Sequence, residues 1–382
     1  MILFISNHRS FYLRKLYMKI KDLISSLESI APPVYQEGYD NAGLLTGSYS
    51  WECTGALVTL DATEAVIREA IEKKCNLVVA HHPIIFKGLR KITGQNYVEK
   101  AIITALKNDI AIYAIHTNLD NIVEGVNGRI ADKLGLINRS WLSPHLSTLK
   151  KLYTFVPVDY AEVVRNAIFD AGGGNIGNYK ETSFNTEGTG TFKPGEGTNP
   201  FVGKQGERQY EKEIKIEIIF PGHLQNAIVD SMIKAHPYEE VAYDLVDLAN
   251  THAGIGSGLI GELPGALDEN VFLAKIRDTF HIPVIRHTRL NRRPAKNVAL
   301  CGGAGSFLIS KALALGADFY LTSDIKYHEF FDANDSIVIA DIGHFESEQF
   351  TVDYLYDILR EKFTTFAVLK SDTRTNPVNY YF

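Results

Sequence analysis

The sequence predicts an α/β protein built from two pseudo-repeated α/β halves that close on one cleft, with an inserted ferredoxin-like α+β domain between them. Three observations carry this. Up to about residue 145, short apolar runs alternate with amphipathic stretches, the grammar of βαβ units and a parallel sheet. From about residue 253 the same alternation returns. Between them lies a strand–helix–strand succession that occurs twice, with a Gly/Thr/Pro-rich arm in its middle. The expected divisions are an extension at 1–17, a first half at 18–145, the insert at 146–252 and a second half at 253–382.

In the first half, Ala56-Leu-Val-Thr-Leu reads as a strand that ends at Asp61, with a helix over 64–73. Next comes Asn76-Leu-Val-Val-Ala-His81-His82-Pro83, an apolar run too short for a stable helix, stopped by a proline that cannot continue the ladder. A helix over 98–107, a strand over 110–115 and a helix over 128–134 complete the half. The insert reads as strand 152–156, helix 161–171, a strand in the aromatic run 179–184, strand 214–220, helix 224–234 and strand 241–248. Its 185–206 segment is expected to be a long loop, either a plain connecting arm or one that meets a substrate or partner. In the second half, strands are expected at 297–301, 318–322 and 336–341, with helices at 306–315 and about 346–363. Gly254-Ile-Gly256-Ser-Gly258-Leu-Ile-Gly261 imitates a dinucleotide fingerprint, but its flanking elements are out of order, so it reads as linker and turn.

With 382 residues the chain has ample length for real cores, and 45% hydrophobic with 22% charged residues is an ordinary globular composition. A net charge of −6 gives no general attraction to nucleic acid or to anionic membranes. Cys53, Cys75 and Cys301 are scattered and odd in number, which argues against a disulfide framework and for a reducing cytoplasm. No apolar run approaches the roughly 18 residues of a membrane helix. The apolar start Met1-Ile-Leu-Phe-Ile is cut off by Asn7, His8 and Arg9, too early for a signal peptide. An amphipathic pattern begins at Met18, which is therefore expected to be the functional start.

The chemistry gathers at strand ends, where ligands of open α/β sheets bind. A His-His pair alone is more often structural. Here His81 and His82 close one strand, His116 and Asp120 follow the next, and Asp341-Ile-Gly343-His344-Phe-Glu-Ser-Glu348 follows the last. Residues four apart share a helix face, so His344 and Glu348 can chelate together while Glu346 points elsewhere. Each piece has a bland reading: Asp120 as a helix cap, Glu348 as a solvated first-turn acid. Three such pieces in one topology favour a metal. Elsewhere, Cys301-Gly302-Gly303-Ala304-Gly305-Ser306 is either an anion cradle or a tight turn that needs positive φ. The basic run 286–296 is a solvated surface or a phosphate contact, without the interleaved aromatics of single-strand binders. His236-Pro-Tyr-Glu239 reads as structural.

Together, Tyr39-Asp40-Asn41-Ala-Gly43-Leu44, Ala80-His81-His82-Pro83, His116-Thr-Asn-Leu-Asp120 and Gly343-His344-Phe-Glu-Ser-Glu348 resemble the GTP cyclohydrolase 1 type 2 homologue family, the Nif-three-like proteins. The resemblance runs from about residue 18 to the C-terminus, and the middle block looks like the PII/CutA-like insert of the longer bacterial members. It implies a dinuclear metal cleft in which His81, His82, Asp120, His344 and Glu348 bind two divalent cations, with Glu348 as the bridge. Mixed imidazole and carboxylate ligands suit zinc, iron or manganese. Five ligands leave open positions on two ions, which can acidify a water and polarise the group it attacks. Glu348 and His116 are the candidate catalytic residues, His116 as acid or base or else as a packed strand-end histidine. The implied substrate is GTP or a related purine nucleotide, attacked at C8, and the implied assembly is a ring-shaped homo-hexamer. The rival reading is a non-catalytic metal-binding regulator that senses a small ligand through the insert. A nucleic-acid role has only the 286–296 run in its favour.

Overall fold

The computed structural model describes residues 18–146 and 148–381, so the expected extension at 1–17 lies outside the described residues. The fold is mixed α/β with three sheets. The chain forms two compact units: one holds the chain up to Asn138 and from Gly261 onward, the other is Arg139–Ile260.

In the first unit, five strands lie in the order Gly43–Thr46, Ala111–Ala114, Leu77–His82, Ala56–Asp61 and Val368–Lys370. The three in the middle are parallel and are joined through helices Glu64–Glu72 and Tyr97–Lys107. Such strands are covered on both faces, which is why they read as unbroken apolar runs. Leu57, Val78 and Ile112 pack with Val66, Ile67, Ile102 and Ala105 of the two helices. Thr63 and Asn96 cap those helices with side-chain oxygens, worth about 1 kcal/mol each. The edge strands Gly43–Thr46 and Val368–Lys370 were not expected. At 4 and 3 residues they are too short to show a period.

The second sheet runs Arg286–His287, Val338–Asp341, Phe319–Ser323, Ala295–Ala304, Gly256–Leu267 and Ile137–Pro144. It too centres on three parallel strands. The expected linker at 254–261 is corrected here, because most of it belongs to the strand Gly256–Leu267. The first glycine of that strand is a packing residue: a Cβ on Gly256 would stand 2.7 Å from the indole of Trp141.

The core of the second unit is built on a four-stranded antiparallel sheet in the order Phe184–Phe192, Gln209–Pro221, Leu149–Pro157, Tyr243–Asp247. Helices Ala161–Asp170 and Gln225–Ala235 cross between strands, and Leu152, Val156, Val164, Ile168, Ile216, Ile218 and Met232 form the core. The strand expected at 179–184 instead runs Phe184–Phe192, and so the first part of the expected 185–206 loop, residues 185–192, is strand. Its Thr and Gly residues pair from Phe184↔Glu217 to Phe192↔Gln209 along an exposed sheet edge, where no apolar alternation is needed to form a ladder.

Among the described residues no helix is long and apolar enough to cross a membrane. Cys53, Cys75 and Cys301 are buried free thiols.

Candidate metal centre

The parallel register of the first sheet sets Asp61 beside His82, and its carboxylate holds the His82 Nδ1 at 2.8 Å. One residue earlier, His81 is fully buried and donates through Nδ1 to the Ile115 carbonyl at 2.8 Å. On the next strand end, His116 Nδ1 meets Asp40 Oδ1 at 2.8 Å. After the last strand, Gly343 at φ +85 turns the chain into the short helix His344–Glu348. There the His344 Nδ1 meets Asp324 Oδ2 at 2.7 Å. Four imidazoles thus each commit Nδ1 to an oxygen acceptor, which leaves Nε2 as the ligand-ready nitrogen.

Those nitrogens converge. His82 Nε2 lies 2.9 Å from Glu348 Oε2 and 3.3 Å from His344 Nε2, and His344 Nε2 is 3.3 Å from the same oxygen. On the other side of Glu348, Oε1 stands 3.9 Å from His81 Nε2, which is 3.6 Å from Asp120 Oδ1. His81 Nε2 and Asp120 Oδ1 are both buried without a hydrogen-bond partner. An orphaned nitrogen lone pair facing an orphaned carboxylate oxygen is costly unless a cation joins them. Ligand atoms of His81, His82 and His116, and of His82, His344 and Glu348, form two groups compact enough to hold an ion.

The electrostatics agree. Burial opposes a proton on His82, but Glu348 and Asp61 outweigh it and push His82 up to about 10. His344 is pushed up to about 11 against burial, chiefly by Glu348 and Asp324. Glu348 is held well below the carboxylate range by His344 and His82 despite its burial. Burial drives His81 down to about 3, against the pull of Glu348, and lifts Asp120 to about 7, against His116. The Asp120 side chain keeps 21% of its surface, but its Oδ1 is sealed. The cluster is one that calls for positive charge.

All six residues singled out in the sequence therefore meet at one place: His81, His82, His116, Asp120, His344 and Glu348. The bland readings fail for two of them. The helix after Asp120 is capped by Gly125 instead, and Glu348 is only 2% exposed. Glu346 does point away, to Asn376. Sequence reasoning assigned no role to Asp40, Asp61 and Asp324, although Asp61 and Asp324 also lie at or just past strand ends, the position that drew attention to the histidines.

The glycine turn after Leu300 resolves as packing, not as an anion cradle. Gly302 N donates to Asn127 and Gly303 N to Ser347, so these amides are already spent. Gly303, at φ +64, lies where a Cβ would run into Glu348 Oε1. His236 is structural: Nε2 bonds the Phe155 carbonyl and Nδ1 accepts from Tyr238 N. In the basic run, Arg286 pairs with Asp341 and Lys296 with Glu262.

A sequence model of the Duf34/NIF3 (NGG1p interacting factor 3) family matches residues 18–377. A Halalkalibacterium halodurans protein named GTP cyclohydrolase 1 type 2 homolog is 41% identical over 346 residues, 89% of this chain and 93% of that protein. A Bacillus subtilis protein of the same name is 36% identical over 94% of this chain and 98% of its own length. The crystal structure of a Bacillus cereus protein related to NIF3 superposes with a TM-score of 0.85 at 36% identity, covering 96% of this chain and all of that one. With most of its length matched by these relatives, the chain belongs to the Duf34/NIF3 family.

Proposed function

We propose that this chain is a dinuclear metal-dependent hydrolase-like protein, with His81, His82, Asp120, His344 and Glu348 as ligands to two divalent cations. The observation that carries this is the split of Glu348. One carboxylate oxygen faces His82 and His344, and the other faces the orphaned pair of His81 and Asp120. Zinc, iron or manganese suits this donor set. Two such ions, when bound, acidify a water and polarise the group under attack. His116 then acts as acid or base: Asp40 fixes its Nδ1, and Nε2 is free to move a proton beside the His81 and His82 ligands.

The substrate proposed is GTP or a related purine nucleotide, attacked at C8 to open the imidazole ring. It is supported by the name that the curated relatives share. The protein should be purified without a tag, its metals measured, and nucleotides and phosphoesters screened with and without chelator. Turnover is expected to need metal and to vanish in His82→Ala and Glu348→Ala; turnover that survives in both variants sinks the catalytic assignment. A ring-shaped homo-hexamer is proposed as the assembly, tested by light scattering, and the cytoplasm as the location, supported by three buried free thiols.

A second reading, a metal-binding regulator that senses a small ligand, is favoured by the second unit. Its 2-3-1-4 strand order with two crossover helices supports a ferredoxin-like, PII/CutA-like insert, and a cavity opens on its sheet. Ligand binding that persists in His82→Ala and Glu348→Ala, with no turnover in any variant, would select this reading.

A further inference from the structure

The sheet of the second unit packs Leu152, Val156, Ile216 and Ile218 against its helices. The alternate residues, Phe155, Glu213 and Lys215 among them, face the other way. On that face the segment 193–201 supplies the opposite wall of a cavity of about 720 Å³, a size that suits a small organic ligand. The wall is pinned from within. Gly206 N donates to the Pro194 carbonyl at 2.9 Å, Gln205 Nε2 to the Thr198 carbonyl at 2.7 Å, and Asn199 N to the Glu239 carboxylate at 3.0 Å.

Two features define the chemistry inside. Aromatic rings of Phe155, Phe192, Phe201 and Tyr238 line the space, with Tyr238 lying 5.9 Å from Phe192 and 6.2 Å from Phe201 between ring centroids. At the floor is Glu213, only 7% exposed, which accepts one neutral hydrogen bond, from Tyr238 OH at 2.8 Å. Gly190 leaves the space beside it, because a Cβ there would collide with the Glu213 carboxylate. Among the described residues no cation pairs with Glu213. Lys215 lines the cavity too, but its ammonium is held by Glu217 at 2.8 Å, and Lys193 at the rim is exposed. A buried carboxylate without a counter-ion is costly, and aromatic faces around a negative charge are the usual receptor for an alkylammonium group.

We propose that this cavity is a binding site for a small organic cation, with its ammonium group set on Glu213 and caged by Phe155, Phe192, Phe201 and Tyr238. The site shares no residue with the metal centre and does not rest on the hydrolase reading.

The test is calorimetric titration of the full chain with choline, with its neutral isostere 3,3-dimethylbutanol, and with benzoate. Choline is expected to bind saturably, and both controls about tenfold more weakly or not at all. Glu213→Gln should weaken choline binding by about tenfold or more. Phe201→Ala, in the arm, should weaken it independently, with circular dichroism and metal content unchanged in both variants. The proposal would be overturned by the alcohol or benzoate binding as tightly as choline, by no saturable choline binding, or by Glu213→Gln leaving the affinity unaltered. Choline that only breaks up self-association, seen as a fall in mass by light scattering, would assign the cavity to a lysine of a second copy and overturn the small-molecule occupant.

Discussion

Each imidazole at the strand ends surrenders one ring nitrogen so that the other is aimed. For His82 the anchor is Asp61, which is itself held by Thr375 Oγ1 at 2.5 Å. Asp61→Asn keeps the shape but can present its amide instead of an acceptor to Nδ1, so ring and tautomer lose their restraint. Under the two-cation reading, zinc affinity should fall about 10–100-fold, read by competition with a chromophoric chelator; an unchanged affinity would remove Asp61 from the site. Gly303 tests the space beside the bridge. Gly303→Ala forces a side chain at φ +64 against Glu348 Oε1. That should cost about 1–2 kcal/mol of stability in urea unfolding and release metal as well. A Gly303→Ala protein that keeps both would show that the Glu348 carboxylate can move without loss. The histidines and acids of this centre were legible because polar residues closing apolar runs stand out in one dimension. Asp61 and Asp324 carry the same strand-end mark, but Asp40 does not, because it acquires meaning only when its distant loop is brought beside His116.

At the scale of elements, long central strands and capped helices were readable, and short or glycine-rich edges were not. Ala56–Asp61 and Leu77–His82 advertise themselves through burial on both faces. Val368–Lys370 joins the first sheet only because Ala56–Asp61 offers it a parallel edge, a fact of tertiary structure with no local signal. Glu69 secures this junction. From helix Glu64–Glu72 its carboxylate accepts from Lys73 Nζ at 2.7 Å, Ser371 Oγ at 2.6 Å, Asp372 N at 2.7 Å and Thr373 Oγ1 at 2.6 Å. Burial opposes its charge, but these donors, Lys73 foremost, hold Glu69 at about 2. A folded pKa below the unfolded value means the stabilisation is whole above about pH 4.5 and fades as pH falls toward 2. Glu69→Ala should therefore cost about 3 kcal/mol at neutral pH, and its deficit against the parent should shrink below pH 4 in urea titrations. A deficit that stayed constant down to pH 2.5 would refute the charged network.

At the scale of the whole molecule, five proposed ligands come from three stretches of sequence, all in the first unit, at the ends of strands in two different sheets. The chain between them builds a second core of its own. A cation that joins His81 and Asp120 to His344 and Glu348 would bind only when both sheets are formed, so its binding energy becomes folding energy for that unit. The second unit contributes none of these ligands, and its melting should be indifferent to metal. Scanning calorimetry of the metal-stripped protein is expected to show two transitions. Zinc at about one hundred times its dissociation constant should stabilise one of them by about 2.7 kcal/mol, a rise of roughly 5–10 °C for a unit of this size. The other should stay where it is. Choline, if it seats on Glu213, should do the reverse and raise only the transition that zinc leaves alone. Each ligand then reports on a separate core. A single transition moved equally by zinc and by choline would mean that the two cores melt as one, and that neither site could be assigned to its own unit by this measurement. Zinc that shifted neither transition would count against the two-cation centre itself, because ions that bridge two sheets cannot bind without stabilising the state that holds the sheets together.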